Sequence, residues 1–162
     1  MKQHHFSRRF FLFIGMLCLL IGVLTLAAPS VLALSGKIRE FPITTAINSQ
    51  PVGITAGPDG NLWFTEIASN NIGRISTAGV ITEFAVPTAN SAPALITAGP
   101  DGNLWFTEEN ANQIGRISPT PKHKLAEFAV PTANSQPVGI TAGPDGNLWF
   151  TEEHGNKIGQ LR

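Results

Sequence analysis

A β-propeller built from three four-stranded antiparallel blades is the fold class that this chain predicts, and three observations predict it. The decapeptide GPDGNLWFTE occurs at residues 57–66, 99–108 and 143–152. Trp63, Trp105 and Trp149 within it stand 42 and 44 residues apart, and Pro51, Pro93 and Pro137 keep the same spacing. Each unit between these landmarks reads as short strands punctuated by Gly, Pro and Asn turn signals. A period just above forty residues with strand content is the sequence signature of a propeller blade.

Residues 1–33 are set apart as a leader. Lys2, Arg8 and Arg9 form a basic start, an uncharged apolar run covers 10–28, and Val31-Leu32-Ala33 supplies a small-residue cleavage pattern. The expectation is an export signal that sends the protein out of the cytoplasm as a secreted or surface-tethered molecule. The run exceeds an ordinary signal core, so an uncleaved helix anchoring the chain in the membrane is the alternative. Residues 7–12 (SRRFFL) fit the twin-arginine export pattern and equally the basic start of a general secretory signal. Cys18, the sole cysteine, lies in this leader without the small residues that precede a lipidated cysteine. Residues 34–162 therefore hold no disulfide and no thiolate metal site. They carry eight basic and eleven acidic residues, with no basic run beyond Lys122-His123-Lys124. A nucleic-acid partner, which needs clustered positive charge, is excluded.

Residues 34–162 form the repeat domain. In the first blade, residues 52–56 make an innermost strand whose small side chains suit a crowded centre. Gly57-Pro58-Asp59-Gly60 is a tight turn in which proline presets φ and glycine accepts a positive φ. Residues 61–66 make the second strand, with Leu62 and Phe64 facing one way and Trp63 and Thr65 the other. Apolar or compact groups on both faces fit a sheet sandwiched between neighbours. Asn70-Asn71 leads into a third strand at 72–76, and Ala78-Gly79 into an outer strand at 80–86. The blades span 52–86, 94–130 and 138–162, with a two-residue insertion in the second near 118–124. The third stops after its third strand, but residues 37–43 (KIREFPI) match the outer-strand pattern of 81–86 and 125–130. A strand at 37–43 is expected to complete the last blade and remove its exposed edge.

Closed propellers use about four to eight blades, because a narrower ring leaves wedge-shaped gaps. Three blades leave two apolar faces open. Self-association of two chains into a six-bladed ring is the expected remedy, against an open monomer or a remnant of a longer array.

The pattern GITAGPDGNLWFTE, followed by NxIGRI and ITEF, resembles the virginiamycin B lyase (streptogramin lyase) family over essentially all of residues 37–162. The resemblance implies a seven-bladed propeller, of which this chain supplies fewer than half the blades. It also implies an enzyme that opens type B streptogramin antibiotics by elimination at an ester C–O bond with Mg²⁺ assistance. That chemistry needs a base for the proton α to a carbonyl and a cation or donor for the developing enolate. The family's catalytic histidine follows the proline of the inner strand, and an aromatic hydroxyl takes the same slot in another repeat. Here the slot holds Val52, Ala94 and Val138, none of which moves a proton, and the chain has no tyrosine. The family's acid, four residues after the tryptophan, is matched by Glu109 and Glu153, while Ile67 breaks the series.

Glu109, Glu153 and His154 are the candidate catalytic groups. His154 replaces Ala68 and Asn110 of the other repeats and is the one distinctive polar residue in that loop. Glu108 and Glu152, with Glu66, end the second strand of each blade and are candidate oxygen ligands for Mg²⁺ or Ca²⁺ at one mouth of the channel. The alternative is strand-end charges paired with Arg74 or Arg116, or solvated. The tryptophans read as packing residues rather than a ligand platform, and Asp59, Asp101 and Asp145 as turn residues. No nucleophile elbow, phosphate loop or HExxH motif occurs. Residues 48–66 and 134–152 are identical over nineteen positions, and 83–91 repeats as 127–135. Near-identical blades suit a scaffold or multivalent binding of a small-molecule or peptide ligand, whereas an enzyme needs blades that present different groups. The expectation is therefore an exported binding or scaffold propeller, with the lyase activity as the alternative.

Overall fold

The computed structural model describes residues 36–44 and 48–162. The expected leader at 1–33 lies outside the described residues. Among the described residues there are eleven strands and no helix. The first sheet contains β1 (Pro51–Ala56), β2 (Leu62–Glu66), β3 (Asn71–Ile75) and β4 (Ile81–Ala85) in that order. The second contains β5 (Pro93–Ala98), β6 (Leu104–Glu108), β7 (Gln113–Ile117) and β8 (Leu125–Ala129). The third contains β9 (Pro137–Ala142), β10 (Leu148–Glu152) and β11 (Lys157–Leu161). All neighbours are antiparallel. The inner strands β1, β5 and β9 pack against one another in sequence, as blades arranged around a common centre require.

Each GPDG turn is stapled to its tryptophan. Gly57 N–H donates to the Asn61 carbonyl at 2.8 Å, Gly60 takes φ +76°, and the Trp63 indole donates to Asp59 Oδ1 at 3.0 Å. Trp105 and Trp149 repeat the bond to Asp101 and Asp145 at 2.9 and 3.0 Å. Burial works to raise the Asp59 and Asp101 carboxyls, but bonds from the indole and from Asn61 or Asn103 outweigh it and hold both below the usual range. The Asn147 and Trp149 donors bring the exposed Asp145 down to about 2.

Strand alternation decides how the blades join. Trp63, Ile72 and Phe84 from the first sheet pack with Ile96, Leu104, Phe106 and Ile117 from the second. Trp105, Ile114 and Phe128 from the second pack in the same way with Ile140, Leu148, Phe150 and Leu161 from the third. One interface is thus built twice, with the tryptophan face of a blade meeting the Leu/Phe face of the next.

The third strand carries a glycine where the phenylalanine of the second strand crosses it. Phe106 pairs with Gly115 in register, and a Cβ on Gly115 would lie 2.2 Å from the ring. Because Phe106 is fully buried, the ring has nowhere to go. Gly115→Ala is expected to destabilise the protein by roughly 2 kcal/mol, read as a lower urea midpoint with an unchanged m-value.

Residues 36–44 carry no strand, and among the described residues the third sheet ends at β11 with three strands. This corrects the expectation that 37–43 completes the third blade of its own chain. Phe41 instead lies against the first blade, where a Cβ on Gly79 would sit 2.2 Å from its ring, and the Arg39 guanidinium stands 4.6 Å above it. The physical reason is distance around the arc. The first and third blades are separated by the second, so a segment leading into β1 sits on the first blade's outer face.

Candidate functional site

The site begins at a β-bulge that every blade repeats. In the first sheet the register runs Pro51 to Glu66 and then Ile54 to Phe64, so residues 52 and 53 face Thr65 alone. The second and third sheets do the same at 94–95 and 138–139. A bulge frees a backbone N–H from the ladder and re-aims a side chain, which is why bulges recur beside functional sites. Here the freed N–H groups of Gly53, Leu95 and Gly139 donate to Thr65, Thr107 and Thr151 Oγ1 at 2.9, 3.1 and 2.8 Å. The threonine hydroxyls in turn donate to the next blade: Thr65 to the Ala94 carbonyl, and Thr107 to the Val138 carbonyl at 2.8 Å. The slot positions Val52, Ala94 and Val138 therefore lie in the bulge, and two of them are acceptors in a chain of bonds joining blades. A Cβ on Gly53 would come within 2.7 Å of the Ala94 carbonyl, so glycine lets the inner strands approach this closely.

A second tie holds the loops above the bulge. Asn70, at φ +59°, donates to the Val86 and Thr88 carbonyls and accepts from the Ser91 N–H and hydroxyl at 2.8 and 3.0 Å. Asn112 makes the same four bonds with Val130, Thr132 and Ser135. Asparagine tolerates the left-handed backbone while offering both a donor and an acceptor.

The strand-end glutamates are buried, which the sequence did not indicate. Glu66, Glu108 and Glu152 are shielded from water. None pairs with an arginine, because Arg74 and Arg116 instead approach Asp59 and Asp101 at 4.0 and 3.9 Å. The Ser69 hydroxyl donates to Glu66 at 2.6 Å, whereas neither carboxyl oxygen of Glu108 has a hydrogen-bond partner. Burial, then the charge of Glu127, pushes the Glu108 carboxyl up to about 7. Burial and Glu83 raise Glu66 likewise. Glu83 and Glu127 stand opposite Gly73 and Gly115 in register, and the absence of a side chain there leaves room for the second carboxyl. The recurring Glu-Phe of the outer strand is the signal that would have revealed these pairs.

The candidate ligands Glu108 and Glu152 sit in different sheets and are sealed from solvent. Among the described residues, no group of three or more His, Cys, Asp or Glu side chains is placed to hold a metal ion. These residues do not fit a Mg²⁺ cage.

Glu109 and His154 do come together. With Asn110, Asn112, Asn134 and Gln136 they line a polar pocket of about 210 Å³ between the loops of the second and third blades. Glu109 is half-buried and His154 exposed. Backbone bonds fix both, from Glu109 N–H to the Ala92 carbonyl at 3.2 Å and from His154 N–H to the Ser135 carbonyl at 3.0 Å. Asn134 and Gln136 hold left-handed backbone at φ +52° and +50°, as Asn48 and Gln50, and Asn90 and Ala92, do before the other inner strands. Glu153 is exposed and does not line this pocket. The sequence does not single out the amides of Asn112, before β7, or of Asn134 and Gln136, before β9.

Repeated antiparallel sheets, two of four strands and one of three among the described residues, stacked about adjacent inner strands, with a polar pocket among their loops, define a β-propeller repeat protein. The virginiamycin B lyase family model matches residues 30–162, and the chain belongs to that family. It is 42% identical over 53 residues to the virginiamycin B lyase of Bordetella bronchiseptica, a match covering 33% of this chain and 17% of that protein. Against the crystal structure of selenomethionine-substituted virginiamycin B lyase from Staphylococcus aureus it has a TM-score of 0.74 and 49% identity, over 77% of this chain and 42% of that one. A streptogramin B lyase structure gives a TM-score of 0.71 at 47% identity, over 75% and 40% of the two chains. The chain thus spans less than half the length of the solved lyases it matches.

Proposed function

We propose that this chain is an exported binding or scaffold member of the virginiamycin B lyase family rather than a lyase. The observation that carries this reading is the composition of the inner-strand slot. Val52, Ala94 and Val138 occupy the three bulges, where an elimination would need a group that takes or gives a proton. The carbonyls of Ala94 and Val138 are engaged by threonines of the preceding blades, so the bulge serves blade cohesion. The polar pocket has the character of a ligand site: Glu109, Asn134 and Gln136 line it with a carboxylate and two amides. Amide and carboxylate groups presented in this way suit a small molecule or peptide that carries backbone-like N–H and C=O groups.

Incubation with a type B streptogramin and Mg²⁺, followed by mass spectrometry, tests the reading. The macrocycle is expected to remain intact over hours at micromolar protein. Appearance of the linear product, and its loss in Glu109→Gln or Glu153→Gln, would overturn it. The convergence of Glu109 and His154 on one pocket favours the lyase as the second reading. There the imidazole would take the proton α to the carbonyl and the carboxylate would orient the ring. In that case His154→Ala abolishes the product.

A further inference from the structure

We propose that the polar pocket between the second and third blades, read above as a ligand site, takes a guanidinium group on a short stem with Glu109 as its counter-ion. One backbone framework is used at both blade junctions. An asparagine, Asn70 or Asn112, ties the connecting segment, and the next blade's loop donates two backbone N–H groups to that segment. Glu109 and Asn110 donate to the Ala92 and Ser91 carbonyls at 3.2 and 3.0 Å. Glu153 and His154 donate to the Gln136 and Ser135 carbonyls at 3.1 and 3.0 Å. The side chains on this framework differ. Positions that line the second junction as Glu109, Asn110, Asn134, Gln136 and His154 hold Ile67, Ala68, Asn90, Ala92 and Asn110 at the first. The adjoining residues 57–66 and 99–108 are identical, yet here an isoleucine and two alanines give way to a carboxylate and two amides.

The charge of the lining selects the ligand. It holds one carboxylate, several amides and the His154 imidazole, and no Lys or Arg. Asn112 is occupied by its four bonds within the loops and shapes the wall. Lys157, at the start of β11, directs its ammonium to the Thr132 hydroxyl at 2.9 Å, and Thr132 does not line the pocket. Glu108 precedes Glu109, and Glu152 and Glu153 precede His154, so the charge nearby is negative. An anion would meet a like charge here. A neutral ligand would cover the half-buried Glu109 without replacing its lost hydration, which a counter-charge offsets. A divalent metal is a poor match, because it takes about six to eight oxygens, and among the described residues no three acidic, His or Cys side chains converge. A guanidinium carries a single charge and five N–H donors in a planar fork. Two of those donors suit a carboxylate side by side, and the others suit amide oxygens such as those of Asn134 and Gln136.

The test is titration of the full chain with butylguanidinium chloride and with butylurea, a neutral group of the same planar shape, at constant ionic strength. The side-chain amide NMR signals of Asn134 and Gln136 report occupancy. Saturable millimolar binding of butylguanidinium is expected, with butylurea weaker by roughly tenfold or more. Glu109→Gln should weaken butylguanidinium by about the same factor. Gln136→Ala, which installs the first junction's residue, should weaken it less, and Glu40→Gln, away from the pocket, should leave it unchanged. Backbone amide spectra of each variant separate loss of binding from loss of fold. Equal affinities for the two probes would overturn the guanidinium assignment while leaving the pocket a ligand site. Unchanged affinity in Glu109→Gln would overturn it as well. So would displacement of the probe by MgCl₂ with shifts of the same amide signals, which would mark a metal site. If neither probe binds, the proposal falls, and linearisation of a type B streptogramin by the same sample would take the binding reading with it.

Discussion

Glu108→Gln is expected to stabilise the protein by about 3 kcal/mol at pH 8 and to leave it nearly unchanged at pH 4. The Glu108 carboxyl rises from 4.5 to about 7 in the folded state, through burial first and the neighbouring Glu127 charge second. Below pH 4.5 it is protonated folded and unfolded, and contributes nothing to the pH dependence. Between 4.5 and 7 the unfolded chain releases the proton while the folded chain keeps it, so stability falls as pH rises. Above 7 both states are ionised and the full penalty persists. Glu66 shifts in the same direction and adds to the slope. The lowered turn aspartates act oppositely: their contribution is present above the ordinary aspartate pKa and is lost as pH falls, for Asp145 towards about 2. Stability should therefore peak between roughly pH 4 and 5. Urea midpoints at pH 5 and pH 8 check this, with the unaltered protein losing stability between them and Glu108→Gln losing much less. Equal losses in the two proteins would show that the carboxyl pair does not govern the slope.

These glutamates also show what the sequence reveals and what it does not. Blade number, strand order and strand ends were legible because they depend on periodicity and on turn chemistry, which are local. Asp59 was read as a turn residue, and it is one, with the added indole bond that a string of letters does not display. Glu66 and Glu108 were read as strand-end charges at a mouth or on a surface. Their burial follows from a neighbour two strands away and a glycine between them, which emerges only when three registers are combined. Glu109 and His154 were named separately and meet because loops of successive blades converge. The same convergence brings in Asn134 and Gln136, which no motif in the sequence marks. Residues 37–43 match the letters of an outer strand, yet residues 36–44 carry no strand. Which blade they lie against depends on how far three blades reach around the centre, and no local pattern encodes that.

Trp63→Ala is expected to cost about 3–5 kcal/mol. Trp63 is fully buried between the first and second blades, stacks on Phe84 at 5.5 Å, and has the Arg74 guanidinium 5.7 Å from its ring. Removing it opens a cavity in that core and leaves Asp59 without its indole donor. Trp149→Ala deletes the same letter from the same decapeptide, yet Trp149 is only half-buried on an open face. In a single chain it should cost less than half as much, because a site already in contact with water loses little transfer free energy and traps no void. Urea unfolding of both variants at one protein concentration measures the ratio. A repeat protein thus assigns one residue two energetic roles according to whether another blade covers it.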